Sequence, residues 1–543
     1  MEAWKIVTSS IKNLNRPSKI RPAFTQQRPL ILGLAIGLGA YGGLAVLHWQ
    51  NGTLRDNITP YTLGWYTLAF VAYLVALWGV AQPRKLSLGL IFAGAIAFRL
   101  LLLFTTPTLS DDIYRYMWDG YVANNGLSPY AYPIDSPELD YLDTPQRALA
   151  NNRWMASPYL PAAQVLFAGL TWLSPTSPRL FQLVMLTLDI LNGWLLLHLL
   201  RLARLPEAGV LLYLWNPLIV VESSHGAHVD TWMIFLMLLA LWLMFVSEAK
   251  SEHPATAAKN RKSNNFPGDP YSVARSAYHF RTIRYALRTT HYVPPSNSVT
   301  SFLAPVLLAL ATLTKGLPLL LLPVLFWRWR WSQLLLYGLV TVGLLIPAGL
   351  AAGWGVSGPL DGRGLFGAIR IYTDQWNFNS GLFYWLETTL TEQGVTTAND
   401  WAKRLIGLAL LGTLLVVWLK ARRIRVIRPT LRLMVIPFMA HILLATTVHP
   451  WYLMTTLTFL PFLTPARDES GRRWLWIVPW LYLSWALALS YLTYLDPNDF
   501  RELAWVRRLE WWGGWGLLLL VWLNQFKWNI VDSAGHSAAG LPD

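Results

Sequence analysis

The sequence predicts an all-α polytopic membrane protein of about fourteen transmembrane helices with a large first outer loop. Three observations predict it. Hydrophobic residues make up 54% and charged residues only 13% of the 543-residue chain, whereas a soluble globular protein carries roughly 25% charge. Apolar runs long enough, or nearly long enough, to cross a bilayer recur along the whole chain, and no strand-like alternation competes with them. The 30 Trp and 23 Tyr are more than one water-soluble core would hold, and their amphipathic rings suit the two membrane interfaces.

The net charge of +15 would suit nucleic acid if the basic residues were grouped. They fall instead in short loops between apolar runs, so they report topology, and no nucleic-acid partner is expected. The chain has no Cys, which excludes disulfides and thiolate metal sites.

The basic N-terminus, residues 1–29, includes Lys5, Lys12, Arg16, Lys19, Arg21 and Arg28, and is expected in the cytoplasm as the lead to an uncleaved first helix. An N-terminal transmembrane module (30–248) begins with Leu30 to Trp49, Tyr61 to Val80 and Leu86 to Phe104. Arg84 and Lys85, between the second and third runs, then lie inside. The third run opens an outer loop, 105–179, whose acids are Asp111, Asp112, Asp119, Asp135, Glu138, Asp140 and Asp143. Leu180 to Leu200 ends in Arg201 and Arg204, which belong inside, so this helix starts outside. Tyr159 to Leu173 therefore begins and ends on one side, as an interfacial or re-entrant helix.

Ala208 to Val221 and Trp232 to Val246 complete the module. Residues 249–299 follow as a polar cytoplasmic loop, flexible and without apolar period from Lys250 to Arg288. The C-terminal module (300–527) opens with Phe302 to Leu313 and Leu317 to Trp327, too short for ordinary spans. A hairpin broken at Thr314, Lys315 and Gly316 sets Lys315 at or just below the outer surface. Leu334 to Ala351 leads to a second outer loop, 353–401. Leu405 to Leu419, Leu433 to Ala445, Tyr452 to Leu463, Trp474 to Tyr494 and Trp511 to Phe526 complete the count. The tail, 528–543, is then cytoplasmic.

The densest cluster of functional groups is Ser110-Asp111-Asp112-Ile113-Tyr114-Arg115-Tyr116-Met117-Trp118-Asp119-Gly120. On a helix, Asp112 and Asp119 share a face with Arg115 and Tyr116 nearby. Acid, cation and aromatic ring are what a sugar site needs: a base for the attacking hydroxyl, hydrogen bonds and a platform. A plain structural reading also fits, with Ser110 as N-cap and acids in the first turn. His225, His228 and Asp230 look like metal ligands, but their spacing does not put all three on one helix face, so no metal is assigned. Asp189 with Asn192 is an intramembrane polar pair that either functions or ties helices together. Asn377 lies in a polar and aromatic stretch, Tyr372 to Ser380, suited to saccharide recognition as well as to an ordinary wet loop.

The Asp111 to Gly120 run, followed by Gly126-Leu127-Ser128-Pro129-Tyr130, resembles the GT-C class of multi-helix glycosyltransferases, nearest to prokaryotic polyprenyl-phosphomannose-dependent α-1,6-mannosyltransferases. Trp215-Asn216-Pro217, Gly226 to Asp230, Thr314-Lys315 and His449-Pro450-Trp451-Tyr452 extend the likeness. The resemblance implies interfacial helices in the first outer loop and Asp111 as base, with Asp112 as neighbour or substitute. It implies a single inverting displacement that moves a hexose, mannose first, from a polyprenyl-phosphate donor to a glycan or glycolipid acceptor. A bacterial inner membrane is the default expectation, and the loop charges place the site outside. Lys315 and Arg115 become candidates for the departing phosphate. Tyr116, Asp119, His228, Asp230, Asn377, His449 and Tyr452 become candidates for binding substrate. No cofactor is implied, and no nucleotide-binding Gly-rich loop is present. A lipid-linked sugar flippase or other transporter is the alternative, although its charges would be expected at the midplane, whereas these acids gather in outer loops.

Overall fold

The computed structural model describes residues 23–82, 85–263, 299–358, 360–496 and 501–538. Among the described residues there are helices and no strand; one isolated bridge joins Phe378 to Thr447. Among the described residues, eight helical stretches are long and apolar enough to cross a membrane: Gln26–Asn51, Pro60–Val80, Arg179–Leu202, Asp230–Ala249, Trp331–Ala352, Ala398–Ala421, Ile427–Leu444 and Gly471–Leu495. Leu88–Leu103, Pro161–Leu173 and Phe302–Thr312 are shorter apolar helices. The chain is thus an all-helical membrane protein.

Part of the difference from about fourteen runs has a local cause. Proline lacks a donor and obstructs the preceding turn, so it divides apolar runs into short helices. Ala208 to Val221 is cut at Pro217, where the Asn216 side chain accepts from the Leu218 N–H and caps a new helix, Pro217–Ser224. Leu317 to Trp327 becomes a 3-10 turn, Leu317–Leu321, and one α turn, Leu322–Leu325. Tyr452 to Leu463 is divided in the same way around Leu453–Phe459. These pieces are mostly buried in protein, where broken helices are tolerated.

We label Leu88–Leu103 α1, Asp112–Asn124 α2, Pro161–Leu173 α3, Arg179–Leu202 α4, Pro217–Ser224 α5 and Asp230–Ser263 α6. The polar segment after Val246 therefore begins as a continuation of α6, while residues 264–298 lie outside those described. So do residues 1–22, 83–84 and 539–543, with the basic positions from Lys5 to Arg21 and Arg84 among them.

Asp189 and Arg99 are both fully buried and tie α1 to α4: Arg99 Nε donates to Asp189 Oδ2 at 2.6 Å. The same carboxylate accepts from Ser223 Oγ of α5 at 2.8 Å and from Tyr213 Oη. Arg99 also donates to the Leu214 carbonyl at 2.8 Å. Every lone pair so used offsets the cost of burying two charges. Asp189 thus clamps three helices, and Asn192 extends the clamp to the Thr231 carbonyl at 3.2 Å. One hydrophobic core runs from Leu30 through Trp511, so both halves of the chain share it.

A second core, built on Ile113, Met117, Phe167 and Phe181, lies under the first large loop. There α2 crosses α3 in backbone contact: a Cβ on Gly120 would stand 2.4 Å from the Phe167 carbonyl oxygen. α3, 13 residues long, is too short to span and exposes Val165, Trp172 and Leu173, as an interfacial helix would. The loop's two ends meet at the start of α4, where Arg179 donates to the Leu103 and Thr105 carbonyls. The far end of α4, roughly 36 Å away at 1.5 Å per residue, meets a cluster of Arg428, Arg432, Asp468 and Glu469.

Candidate active site

A cavity of about 880 Å³ opens where the two large loops meet the helix ends. The first loop contributes Asp111, Asp112 and Asn151; the turn after Phe302–Thr312 contributes Lys315; the second loop contributes Tyr372, Trp376, Asn377 and Phe378. His449, Trp451 and Tyr452 form another wall, and Arg55, Tyr491 and Tyr494 close it.

The local sequence explains how both carboxylates reach the cavity. α2 starts at Asp112, and Ser110 Oγ accepts from the Asp112 N–H at 3.3 Å. Asp111 holds the N-cap position but makes no capping hydrogen bond, so capping does not account for its side chain. Its Oδ1 accepts from Arg55 Nη2 at 2.8 Å. Asp112 Oδ1 accepts from Asn151 Nδ2 at 2.6 Å. Burial lifts the Asp111 carboxyl above its usual range, with the Arg55 guanidinium opposing the shift and Asp112 adding to it. A carboxylate with raised proton affinity is the better base.

Lys315 reaches the cavity because the hairpin breaks there, with Thr314 Oγ1 bonded back to the Leu310 carbonyl at 2.9 Å. Behind Lys315 lies fully buried Asp230, both of whose oxygens accept from Nζ at 2.9 Å. The ammonium also sits 4.4 Å from the centre of the Tyr452 ring. An ammonium has three donors, so the pair fixes Lys315 without exhausting it.

Arg115, Asp119 and Tyr116 lie elsewhere than the sequence reading expected. All three are buried and none lines the cavity. Arg115 Nε donates to Asp119 Oδ1 at 2.9 Å, and its guanidinium holds the carbonyls of Asn152 and Met155 at 3.3 and 3.1 Å. Asp119 also accepts from Ser157 and Gln164. Tyr116 stacks on Phe167 at 4.5 Å. The face shared by Asp112, Arg115 and Asp119 turns inward past its first residue, and its ion pair anchors the segment that carries Asn151.

His228 is fully buried behind Asp112, with Nδ1 3.7 Å from Asp112 Oδ2. Its ring is the last of a stack: Phe378 on His449 at 4.7 Å, His449 on Trp451 at 4.5 Å, Trp451 on His228 at 4.2 Å. Removal from water pushes the His449 imidazole down to about 3, against the pull of Asp112 and with Lys315 adding to the fall, so it stacks as a neutral ring. Asn377 is exposed at the rim. His225 is used by Thr105 Oγ1 at 2.7 Å and the Thr108 N–H at 3.3 Å. Among the described residues no three His, Asp or Glu side chains are grouped to hold a metal ion.

Arg55 and Glu222 are absent from the sequence reading. A cation in a short polar segment assigned to the outer side runs against the charge rule, and a lone Glu ends the apolar run Leu218 to Val221. Both signals were available.

The family model described as alpha-(1->6)-mannopyranosyltransferase, N-terminal domain, matches residues 38–331, more than half of the chain. The chain belongs to this family. Its matched region contains Asp111, Asp112, His228, Asp230 and Lys315, while Asn377, His449 and Tyr452 lie beyond it. No curated protein and no solved structure matches the chain. As a member of a mannosyltransferase family it is a glycosyltransferase, whose substrates are a sugar donor and an acceptor.

Proposed function

We propose that this mannosyltransferase-family protein is an inverting GT-C enzyme that transfers a hexose, mannose first, from a polyprenyl phosphate to a glycan or glycolipid acceptor. The observation that carries the reading is one cavity in a helical membrane protein with a carboxylate pair on one wall and an ammonium on another. Asp111 takes the proton of the acceptor hydroxyl as its oxygen attacks the anomeric carbon. The bond to the phosphate breaks on the opposite face, and Lys315 stabilises the charge that develops on the departing phosphate. Asp112, steadied by Asn151, accepts a hydrogen bond from a further sugar hydroxyl. Trp376 and Tyr372, 5.0 Å apart, supply an aromatic face, and Asn377, His449 and Tyr452 supply polar edges around the sugars.

The same reading puts the cavity outside a bacterial cytoplasmic membrane. In support, α4 runs from the cavity end to the cluster of Arg428 and Arg432, and basic ends face the cytoplasm. A lipid donor fits a site bordered by the interfacial helix α3, through Tyr159 and Leu160 at its start.

The test is donor choice. Purified protein in liposomes is given radiolabelled polyprenyl-phosphate mannose or nucleotide-linked mannose with a panel of glycan and glycolipid acceptors. Transfer from the lipid donor alone, with the anomeric configuration inverted, supports the reading. Transfer from the nucleotide sugar, or movement of the lipid across the bilayer without transfer, refutes it.

A further inference from the structure

Behind the Asp112 wall runs a polar chain that the mechanism above leaves unused. Glu222, near the end of α5, is 2% exposed, with its Oε2 3.1 Å from His228 Nε2. Its Oε1 accepts from Tyr491 Oη at 2.9 Å. His228 faces Asp112 with its other nitrogen at 3.7 Å. The sequence of groups is therefore carboxylate in the cavity, buried imidazole, buried carboxylate, and the phenol of Tyr491, which returns to the cavity lining.

Several features hold this imidazole in one orientation. Its ring face is clamped by Trp451. The His228 N–H donates to the Glu222 carbonyl at 3.0 Å, closing a tight loop in which Ala227 takes a positive φ of 50°. A Cβ on Gly226 would stand 2.8 Å from His228 Cδ2, so the loop excludes a side chain there. Both ring nitrogens are buried without a well-aligned hydrogen bond. A buried polar atom left so is costly. Carboxylates stand beside both nitrogens, and contacts of this kind are commonly long before substrate binds and tighten with it.

We infer that Glu222 is a positioning residue that acts through His228 on Asp112. It fixes the ring from behind, and the ring fixes where the Asp112 carboxylate stands when the sugars enter. The inference rests on the proposed transfer reaction and on Asp112 meeting a substrate hydroxyl. His225 and His449 lie near the same ring, and each has its own partners.

The experiment uses full-length protein and Glu222→Gln, which keeps the shape and an oxygen for Tyr491 while removing the charge. Expected is a fall in kcat of roughly 10- to 100-fold, the scale of misplaced reacting groups, with KM for polyprenyl-phosphate mannose changed less than threefold and an unaltered melting temperature. In a double-mutant cycle, Asp112→Asn with Glu222→Gln should be no slower than Asp112→Asn alone, since the second change acts through the first. A wild-type kcat in Glu222→Gln, or losses that multiply in the double variant, overturns the inference. Should Glu222→Gln melt early, His228→Gln is put through the same cycle with the same two criteria. Failure of the wild-type protein to transfer any lipid-linked sugar overturns the transfer reading itself, a result distinct from either outcome.

Discussion

Lys315 Nζ stands 2.9 Å from both oxygens of Asp230, a carboxylate with no exposure of its own. The cation on the cavity wall is thus anchored by a buried anion contributed by the start of α6. Removing one partner of such a pair costs about 3–5 kcal/mol, because the other charge is left buried. Lys315→Met is expected to lose that much in equilibrium unfolding. Lys315→Met with Asp230→Leu should regain most of the stability and still show no sugar transfer. Recovery of transfer in the double variant would remove Lys315 from the phosphate.

Asp111 and Arg55 give a pH prediction. Burial holds the Asp111 carboxyl above its usual range, and Arg55 works against that shift. The ionised form is the base, so transfer is lost as pH falls through the Asp111 pKa. Arg55→Gln withdraws the opposing charge, the pKa rises further, and the acid limb of kcat/KM moves to higher pH. A pH series of initial rates in both proteins checks it; a limb that stays or moves down contradicts it.

Arg115 was a candidate for the phosphate, and the structure gives it to Asp119 and two loop carbonyls. Arg115→Met should destabilise by about 3–5 kcal/mol, while the protein that remains folded keeps its KM for the lipid donor. A tenfold rise in that KM without loss of stability would return Arg115 to the site.

Gly226 offers a steric probe. Adding the single methyl of Gly226→Ala pushes against the His228 ring at 2.8 Å, and the ring has Trp451 on its face. The expected result is a kcat lowered by roughly tenfold or more, on the scale of small displacements at a reacting centre, with secondary structure by circular dichroism unchanged.

What could be read from the sequence follows the range of each interaction. Hydropathy gave the helical membrane class, and the charge at Arg201 and Arg204 led to the expectation of a one-sided helix at Tyr159 to Leu173, where the structure has the 13-residue α3. The break at Thr314 to Gly316 gave Lys315 its position. Contacts between distant residues were beyond pattern: Arg55 meets Asp111 across 56 positions, and Lys315 meets Asp230 across 85. The Arg115–Asp119 pair was legible as an i, i+4 helix pair, and reading it as a substrate site weighed residue type above spacing. Hydropathy does not register the short buried turns at Pro217, Pro318 and Pro461, which divide three of the apolar runs.

Single-turnover transfer from polyprenyl-phosphate mannose by wild type, Asp111→Asn and Asp112→Asn, each shown folded by its melting temperature and by donor binding, distinguishes the base from its neighbour. Asp111→Asn is expected to bind the donor and form no product above background, while Asp112→Asn retains a slow, measurable transfer. Product formed by Asp111→Asn at the wild-type rate would contradict it.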